Sequence, residues 1–247
     1  MADAADPSRT NLNNYDVSYC GRHVTVYCWS RTPCGSPKWD EAERLGRLLA
    51  ERSFGVVTGG YGAGSMEAIV KGARSARIVD KTKRTPTVAF PFGLPTRTND
   101  GSVPEGCGTA SESVAIRGVL VPGQFPDRVL TGSTYLTESV DARNMQERLD
   151  ILSRLTFAYV VLPGTLGSLT ELMVVLQNSC LHPAGQSRPL ILCWRDPWES
   201  VVRHICSTLG VQKDYEDCVR YVDSPEECVD TIEAEYELRL GKKNCPP

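Results

Sequence analysis

Two short runs, Gly55-Val56-Val57-Thr58 and Ala158-Tyr159-Val160-Val161-Leu162, are apolar and rich in β-branched residues, and each runs into glycines and then into a segment of helical spacing. A strand that empties into a glycine turn and a helix is half of a βαβ unit. Such units need a parallel sheet with crossover helices on its faces. The rest of the chain keeps the alternation. Residues 23–29 read as a strand and 39–52 as a helix, with Ala42, Leu45, Leu48 and Leu49 on one side. Residues 65–75 read as a helix with Ser65 as N-cap, and 87–90 as a strand. Residues 128–131 read as a further strand, and 137–154 as a helix. Met145, Leu149 and Leu152 line one side of that helix, and Asp141, Asn144 and Arg148 another. A helix over 169–178 follows the second glycine turn, then a strand at Leu190–Trp194. Asp196-Pro197 opens a helix that Gly210 closes. Val219–Val222 is the last strand. Ser224-Pro225-Glu226-Glu227 is a capping box before a helix ending near Leu240, with Gly241 as its cap. This order predicts an α/β fold: a Rossmann-like, doubly wound parallel sheet with helices on both faces, in a single domain.

The domain is expected over residues 21–241. A polar arm at 1–20, read as disordered, precedes it and a short tail at 242–247 follows. Residues 91–127 are dense in Gly, Pro, Ser and Thr with little periodicity, and read as a loop insertion. The formal net charge of −3 does not suit wrapping nucleic acid, which needs a basic surface. No stretch approaches the roughly 20 apolar residues that span a bilayer, and residues 1–14 lack the order of a signal peptide. Ten cysteines are scattered without a Cys-x-x-Cys pair, beside only three histidines. Zinc sites show close ligand pairs, and disulfide frameworks belong to short secreted chains. The expectation is a cytoplasmic protein with reduced thiols and no metal.

Ligands in such sheets bind at the carboxyl ends of strands, near the switch point, and both glycine turns sit there. In Gly59-Gly60-Tyr61-Gly62-Ala63-Gly64-Ser65-Met66-Glu67, glycines allow close backbone approach to a phosphate and the helix offers partial positive charge. Neither the P-loop nor Gly-x-Gly-x-x-Gly fits this turn, and a tight turn without ligand accounts for it equally well. The second turn, Pro163-Gly164-Thr165-Leu166-Gly167-Ser168-Leu169-Thr170-Glu171, has the same build with hydroxyls added. Ser168-Leu169-Thr170-Glu171 is also a capping box, and spacing alone favours Glu171 as a helix cap.

Residues 163–171 resemble the Pro-Gly-Gly-x-Gly-Thr-x-x-Glu signature of the Lonely Guy family, phosphoribohydrolases that cleave the N-glycosidic bond of nucleoside 5′-monophosphates. Met145-Gln146-Glu147-Arg148 resembles that family's Met-x-x-Arg motif. Val56-Val57-Thr58-Gly59-Gly60 and Gly64-Ser65-Met66-Glu67-Ala68 are similar to its first glycine turn, and Tyr27-Cys28-Trp29-Ser30 to its first strand with a substrate-facing serine. The resemblance implies release of free base and ribose 5-phosphate from an AMP-type or cytokinin-riboside monophosphate. Glu171 and Arg148 would be the catalytic pair, Glu171 orienting or deprotonating water. Arg148 cannot be a general acid, since its pKa is above ~12; it would polarise the base or hold Glu171 in place. Pro163, Gly164, Thr165, Leu166, Gly167 and Ser168 would hold the phosphate. Gly59, Gly60, Gly64 and Met66 would form the opposite wall, and Ser30, Asn144 and Met145 would line the substrate. The reaction uses water, so no cofactor is implied. The resemblance further implies a homodimer with the site near the interface, for which 137–154 is the candidate helix.

The chain departs from the family pattern at four points. Thr165 stands for a signature Gly and Ser168 for its Thr; Leu149 stands for a Lys, and Tyr61 for the third Gly of the first turn. These bear on substrate fit rather than on the reaction. The alternative is a non-catalytic nucleotide or molybdenum-cofactor carrier of the same fold, whose helix sequence Asp141-Ala142-Arg143-Asn144 resembles. Lysine decarboxylation does not fit, because no lysine lies in either turn or beside Arg148 to form a Schiff base. Glu171→Gln and Arg148→Ala are each expected to lower turnover by at least ~10²-fold while the fold survives. If Glu171 only caps a helix, its loss costs about 1 kcal/mol and spares activity. Nucleotide hydrolysis and urea unfolding of the two variants separate these outcomes.

Overall fold

The computed structural model describes residues 21–77, 96–98, 114–124, 131–181, 188–211 and 217–243. Strands and helices alternate along them: β1 (His23–Tyr27), α1 (Pro37–Glu51), β2 (Gly55–Thr58), α2 (Gly64–Ser75), β3 (Thr96–Thr98), β4 (Ile116–Leu120), β5 (Glu138–Asp141), α3 (Met145–Leu152), β6 (Ala158–Val161), α4 (Leu166–Cys180), β7 (Leu190–Trp194), α5 (Arg195–Leu209), β8 (Val219–Val222) and α6 (Pro225–Lys243). The strands form one sheet in the order β3-β5-β4-β2-β1-β6-β7-β8. All neighbours run parallel except β3, which pairs antiparallel with β5 at the edge. Every residue of β1, β2, β6 and β7 is buried, as strands covered on both faces require. The chain steps from β1 to β2 on one side, while β6 lies on the other side of β1. Right-handed crossovers in opposite directions put helices on opposite faces, so β1 and β6 flank the switch point.

Helix α1 starts where Ser36 accepts from the Trp39 N–H at 3.3 Å, with Pro37 at its first position. Its buried residues Trp39, Ala42, Leu45, Leu49 and Ala50 follow the helical period. Helix α6 is fixed beside it by ion pairs of Arg44 with Glu226 and of Arg52 with Asp230 and Glu233. Below them the buried Arg22 guanidinium lies 4.4 Å from the ring centres of both Phe54 and Tyr236. It also donates to the Arg52 carbonyl at 3.0 Å.

Several sequence expectations are corrected. Residues 137–154 are not one helix: Glu138–Asp141 is strand β5, and α3 covers only Met145–Leu152. Asp141, Asn144 and Arg148 do share helical spacing, but Asp141 lies on the strand and Asn144 is the N-cap, its side chain accepting from the Glu147 N–H at 2.9 Å. The stretch 91–127 is not without regular structure. It supplies β4, which pairs with β2 and β5, and the edge strand β3. Gly118 explains why β4 resists pattern reading: a strand glycine where a neighbouring backbone approaches closely breaks the apolar run. Helix α2 begins at Gly64, with Ala63 rather than Ser65 at the N-cap position. Gly241 lies inside α6 rather than after it. The backbone at Asp196 is extended, so the regular part of α5 starts at Pro197 as Asp-Pro suggests, and Gly210 closes it at a φ of 63°. The predicted arm 1–20, the strand at 87–90, most of that at 128–131, residues 244–247, Cys20, Cys107, Cys245 and His182 lie outside the described residues.

Helices α1 and α2 touch backbone to backbone. A Cβ on Gly46 would overlap the Ile69 carbonyl oxygen, and one on Gly72 the Glu43 carbonyl oxygen. A Gly→Ala change inside a helix ordinarily gains about 1 kcal/mol. Here Gly46→Ala and Gly72→Ala are each expected to lose about 1–3 kcal/mol, because backbones must separate to admit the methyl group. Urea unfolding reads the sign directly.

Candidate functional site

Loops after β1, β2, β4 and β6 converge at the carboxyl edge of the sheet, beside the switch point. At the first glycine turn the Gly60 N–H donates to Thr58 Oγ1 at 3.0 Å, and Gly60 has a φ of 77°. Its Cα side faces Gly118 so closely that a Cβ would lie 2.7 Å from the Gly118 Cα. Only glycine combines that conformation with that approach. The turn also holds segment 131–133: Ser133 N–H donates to the Gly60 carbonyl at 2.8 Å, and Gly62 N–H to the Thr131 carbonyl at 3.0 Å. Gly64 lies against the Trp29 carbonyl and Ser30 backbone, with no room for a Cβ. Ser65 N–H donates to the Trp29 carbonyl at 2.8 Å, and the Ser65 and Thr32 hydroxyls bond at 2.5 Å. Ser65 therefore locks the β1 loop, carrying Ser30, onto the glycine turn instead of capping α2.

Arg148 is the centre of the arrangement. Its side chain, 7% exposed, leaves α3 and crosses the end of the sheet. Nε donates to the Val119 carbonyl at 3.0 Å, and Nη1 donates to Glu171 Oε1 at 3.2 Å. The guanidinium carbon sits 5.8 Å from the Tyr61 ring centre. The Tyr61 hydroxyl accepts from the Val121 N–H at 3.0 Å and bonds to the Val121 carbonyl at 3.3 Å. Gly59 makes room for this: a Cβ there would overlap Arg148 Nη2 and lie 2.8 Å from Met66 Sδ. The Arg148 side chain thus bonds to Val119 and Glu171 rather than to Asp141 or Asn144, with which it shares helical spacing.

Glu171 is buried, its side chain 10% exposed. Burial raises its pKa above the usual carboxylate value, and the Arg148 charge and hydrogen bond oppose that rise. Helix α4 begins at Leu166, with Thr165 at the N-cap position and no side-chain cap bond. The capping box read from Ser168 to Glu171 is therefore not formed: both residues lie two or more positions inside the helix. Ser168 is buried against Gly164, which has no room for a side chain of its own. Thr165, Leu166 and Gly167 are exposed at the tip of the turn, and Pro163 is half-buried. Met145 opens α3 and packs half-buried on the core. Asn144 is spent on its cap.

The predicted residues thus fall into clusters. Arg148, Glu171, Gly59 and Met66 meet directly; Ser30 meets Gly64; Gly164 meets Ser168. Three contributors were missed. Tyr61, noted only as a departure, clamps β4 and presents its ring to Arg148. The Val119 carbonyl carries no side-chain signal at all. Cys28, inside the motif that ends at Ser30, is a buried thiol whose pKa is pushed up first by burial and then by the Glu171 charge. Among the described residues no group of three or more His, Cys, Asp or Glu could hold a metal, and no helix is long and apolar enough to cross a membrane.

Removing one partner of a buried ion pair leaves an uncompensated charge, at about 3–5 kcal/mol. In Arg148→Ala the opposing influence on Glu171 is gone, so its folded-state pKa rises further above the unfolded value. Stability contributed by a protonated Glu171 is present at acid pH and lost as pH rises through that folded pKa. The deficit of Arg148→Ala relative to wild type is expected to grow from acid to neutral pH in urea titrations. Arg148→Met combined with Glu171→Leu should recover much of it.

Among solved structures, the chain is similar to a molybdenum cofactor binding protein from Rippkaea orientalis. The identity is 17% and the TM-score 0.53, over 86% of this chain and 94% of that one. It is also similar to the molybdenum cofactor carrier protein from Chlamydomonas reinhardtii, at 13% identity and a TM-score of 0.53, over 86% and 96% of the two chains. At these identities the likeness establishes the fold. No curated protein sequence matches the chain. A family model described as possible lysine decarboxylase matches residues 102–232, more than half of the chain, and takes in β4, Arg148 and the whole second glycine turn. The chain belongs to that family, the one its Met-x-x-Arg and Pro-Gly-x-x-Gly-Ser-x-x-Glu motifs resemble under the name Lonely Guy.

Proposed function

We propose that the protein hydrolyses the N-glycosidic bond of nucleoside 5′-monophosphates, giving free base and ribose 5-phosphate. The observation that carries this reading is the buried Arg148–Glu171 contact at the switch point. It costs desolvation of two charges, and it draws Glu171 away from a helix start that it was spaced to cap. A pure binding module has no evident need for that expense.

The bond breaks through an oxocarbenium-like sugar, by analogy with glycoside hydrolysis. Glu171 is the group in this site that can take a proton from water at the anomeric carbon or stabilise the cation. Its raised pKa makes it a stronger base than a solvated carboxylate. Arg148, held by the Val119 carbonyl and the Tyr61 ring, donates to the carboxylate and fixes where it points. The first turn of α4 has exposed backbone and no acidic residue, which suits the 5′-phosphate. Gly59, Gly60, Gly64, Met66 and Ser30 build the facing wall. Despite the family's description, lysine decarboxylation has no support: α3 and both turns are without lysine. We further propose that the protein works in the cytoplasm, as a homodimer with its site near the interface.

The second reading is a nucleotide or molybdenum-cofactor carrier. It draws on the solved structures with the same fold, whose names include that role. Incubation of the protein with AMP, GMP, CMP, UMP and isopentenyladenosine monophosphate separates the two. Base release by wild type but not by Glu171→Gln supports the hydrolase and ranks the bases. Thermal stabilisation by a nucleotide without base release supports the carrier and points to Thr165 and Leu149. For the hydrolase, kcat/KM is expected to fall on the acid side, as Glu171 takes up its proton, at a pH above the usual carboxylate range. The limb is expected to be missing from the residual activity of Glu171→Gln.

A further inference from the structure

Away from the site, two sulfurs from distant parts of the chain meet. Cys180 is the last residue of α4, and Cys218 lies immediately before β8. Their Sγ atoms are 3.9 Å apart, and both residues are partly exposed. Arg188 Nη1 donates to Cys218 Sγ at 3.9 Å, and the Arg188 carbonyl in turn accepts from Arg239 Nη2 of α6 at 2.8 Å. Helix α4 runs antiparallel to the strands, so this contact lies at the amino edge of the sheet, opposite the Arg148–Glu171 pair. The remaining described cysteines on this half of the sheet, Cys193, Cys206 and Cys228, are buried.

We propose that Cys180 and Cys218 are a reversible dithiol site, which a peroxide oxidises to a disulfide joining the end of α4 to the start of β8. Sulfurs in contact need only close to the bonded distance of about 2.05 Å. Cys218 is the sulfur the oxidant meets first, since it carries the Arg188 donor. Cys180, which faces it across the 3.9 Å contact, is the resolving partner, its thiol pushed up first by burial. In the first step the Cys218 sulfur attacks one peroxide oxygen, the O–O bond breaks, and the products are a sulfenic acid and, with the thiol proton, water. In the second the Cys180 sulfur displaces the sulfenic hydroxyl, which leaves with the Cys180 proton as a second water. Two thiols lose two electrons, and one peroxide becomes two waters.

The test uses the full chain, treated with hydrogen peroxide, alkylated and then digested with trypsin. Cys218 falls alone in the peptide 214–220 and Cys206 in 204–213, while Cys180 shares 155–195 with Cys193 because trypsin leaves the Arg188–Pro189 bond intact, so the joined peptides are identified by mass and the Cys180 end by fragmentation. The expected product has lost two hydrogens and contains 214–220 joined to the peptide carrying Cys180. Dithiothreitol reverses it, and the oxidised protein melts several degrees higher, because the bond closes a long loop in the unfolded chain. In Cys180→Ser, dimedone should trap a sulfenic acid on Cys218, and Cys218→Ser should yield no link. A link from Cys180 to Cys206, a link between other cysteines, or both thiols remaining alkylatable after treatment would overturn the proposal.

Discussion

A guanidinium buried at the end of a parallel sheet must be matched on every side, and the carboxyl edge of this protein is arranged around meeting that demand. The Val119 carbonyl, the Glu171 carboxylate and the Tyr61 ring each take one aspect of Arg148. Gly59 withdraws its side chain so that the group can pass. Gly59 and Tyr61 follow β2, Val119 lies near the end of β4 and Glu171 is on the helix after β6, so Arg148 ties three strand ends together as well as holding the carboxylate. The charge is desolvated and therefore sensitive to its neighbours. For the same reason Glu171 has a basicity that no exposed glutamate would have.

The sheet was legible where strands are buried on both faces and carry no functional load. Gly55–Thr58 and Leu190–Trp194 follow from their apolar runs alone. Legibility failed at β4 and β5. Gly118 interrupts β4 because the first turn presses against it, while β5 offers Glu138, Ser139 and Asp141 to partly exposed positions. Residues 137–154 then read as one helix, since Asp141, Asn144 and Arg148 happen to recur at helical spacing. Tertiary pairing decided the matter, as it commonly does for short segments of mixed polarity.

The site was legible as motifs but not as geometry. Spacing set Ser168 and Glu171 in a capping box and set Arg148 near Asn144, and both local answers lost to a contact across 23 residues. Local hydrogen bonds cost little chain entropy. A distant one prevails only where the fold has already brought the partners together, here through the crossover from α3 to β6 and back into α4. Tyr61 makes the complementary point. As a departure from a family glycine it bore only on substrate fit, yet its hydroxyl bridges the Val121 backbone and its ring faces the arginine.

The missing cap on α4 has a thermodynamic consequence. With Glu171 turned inward and Thr165 making no side-chain bond, the donors of the first helical turn have no acceptor supplied by a side-chain cap. An anion seated there completes the helix, and a species that binds the folded chain but not the unfolded one adds RT ln(1 + [L]/Kd) to its stability. The helix that carries the carboxylate is in this sense left uncapped by its own sequence, and an anion bound at its first turn would raise the stability of the whole fold.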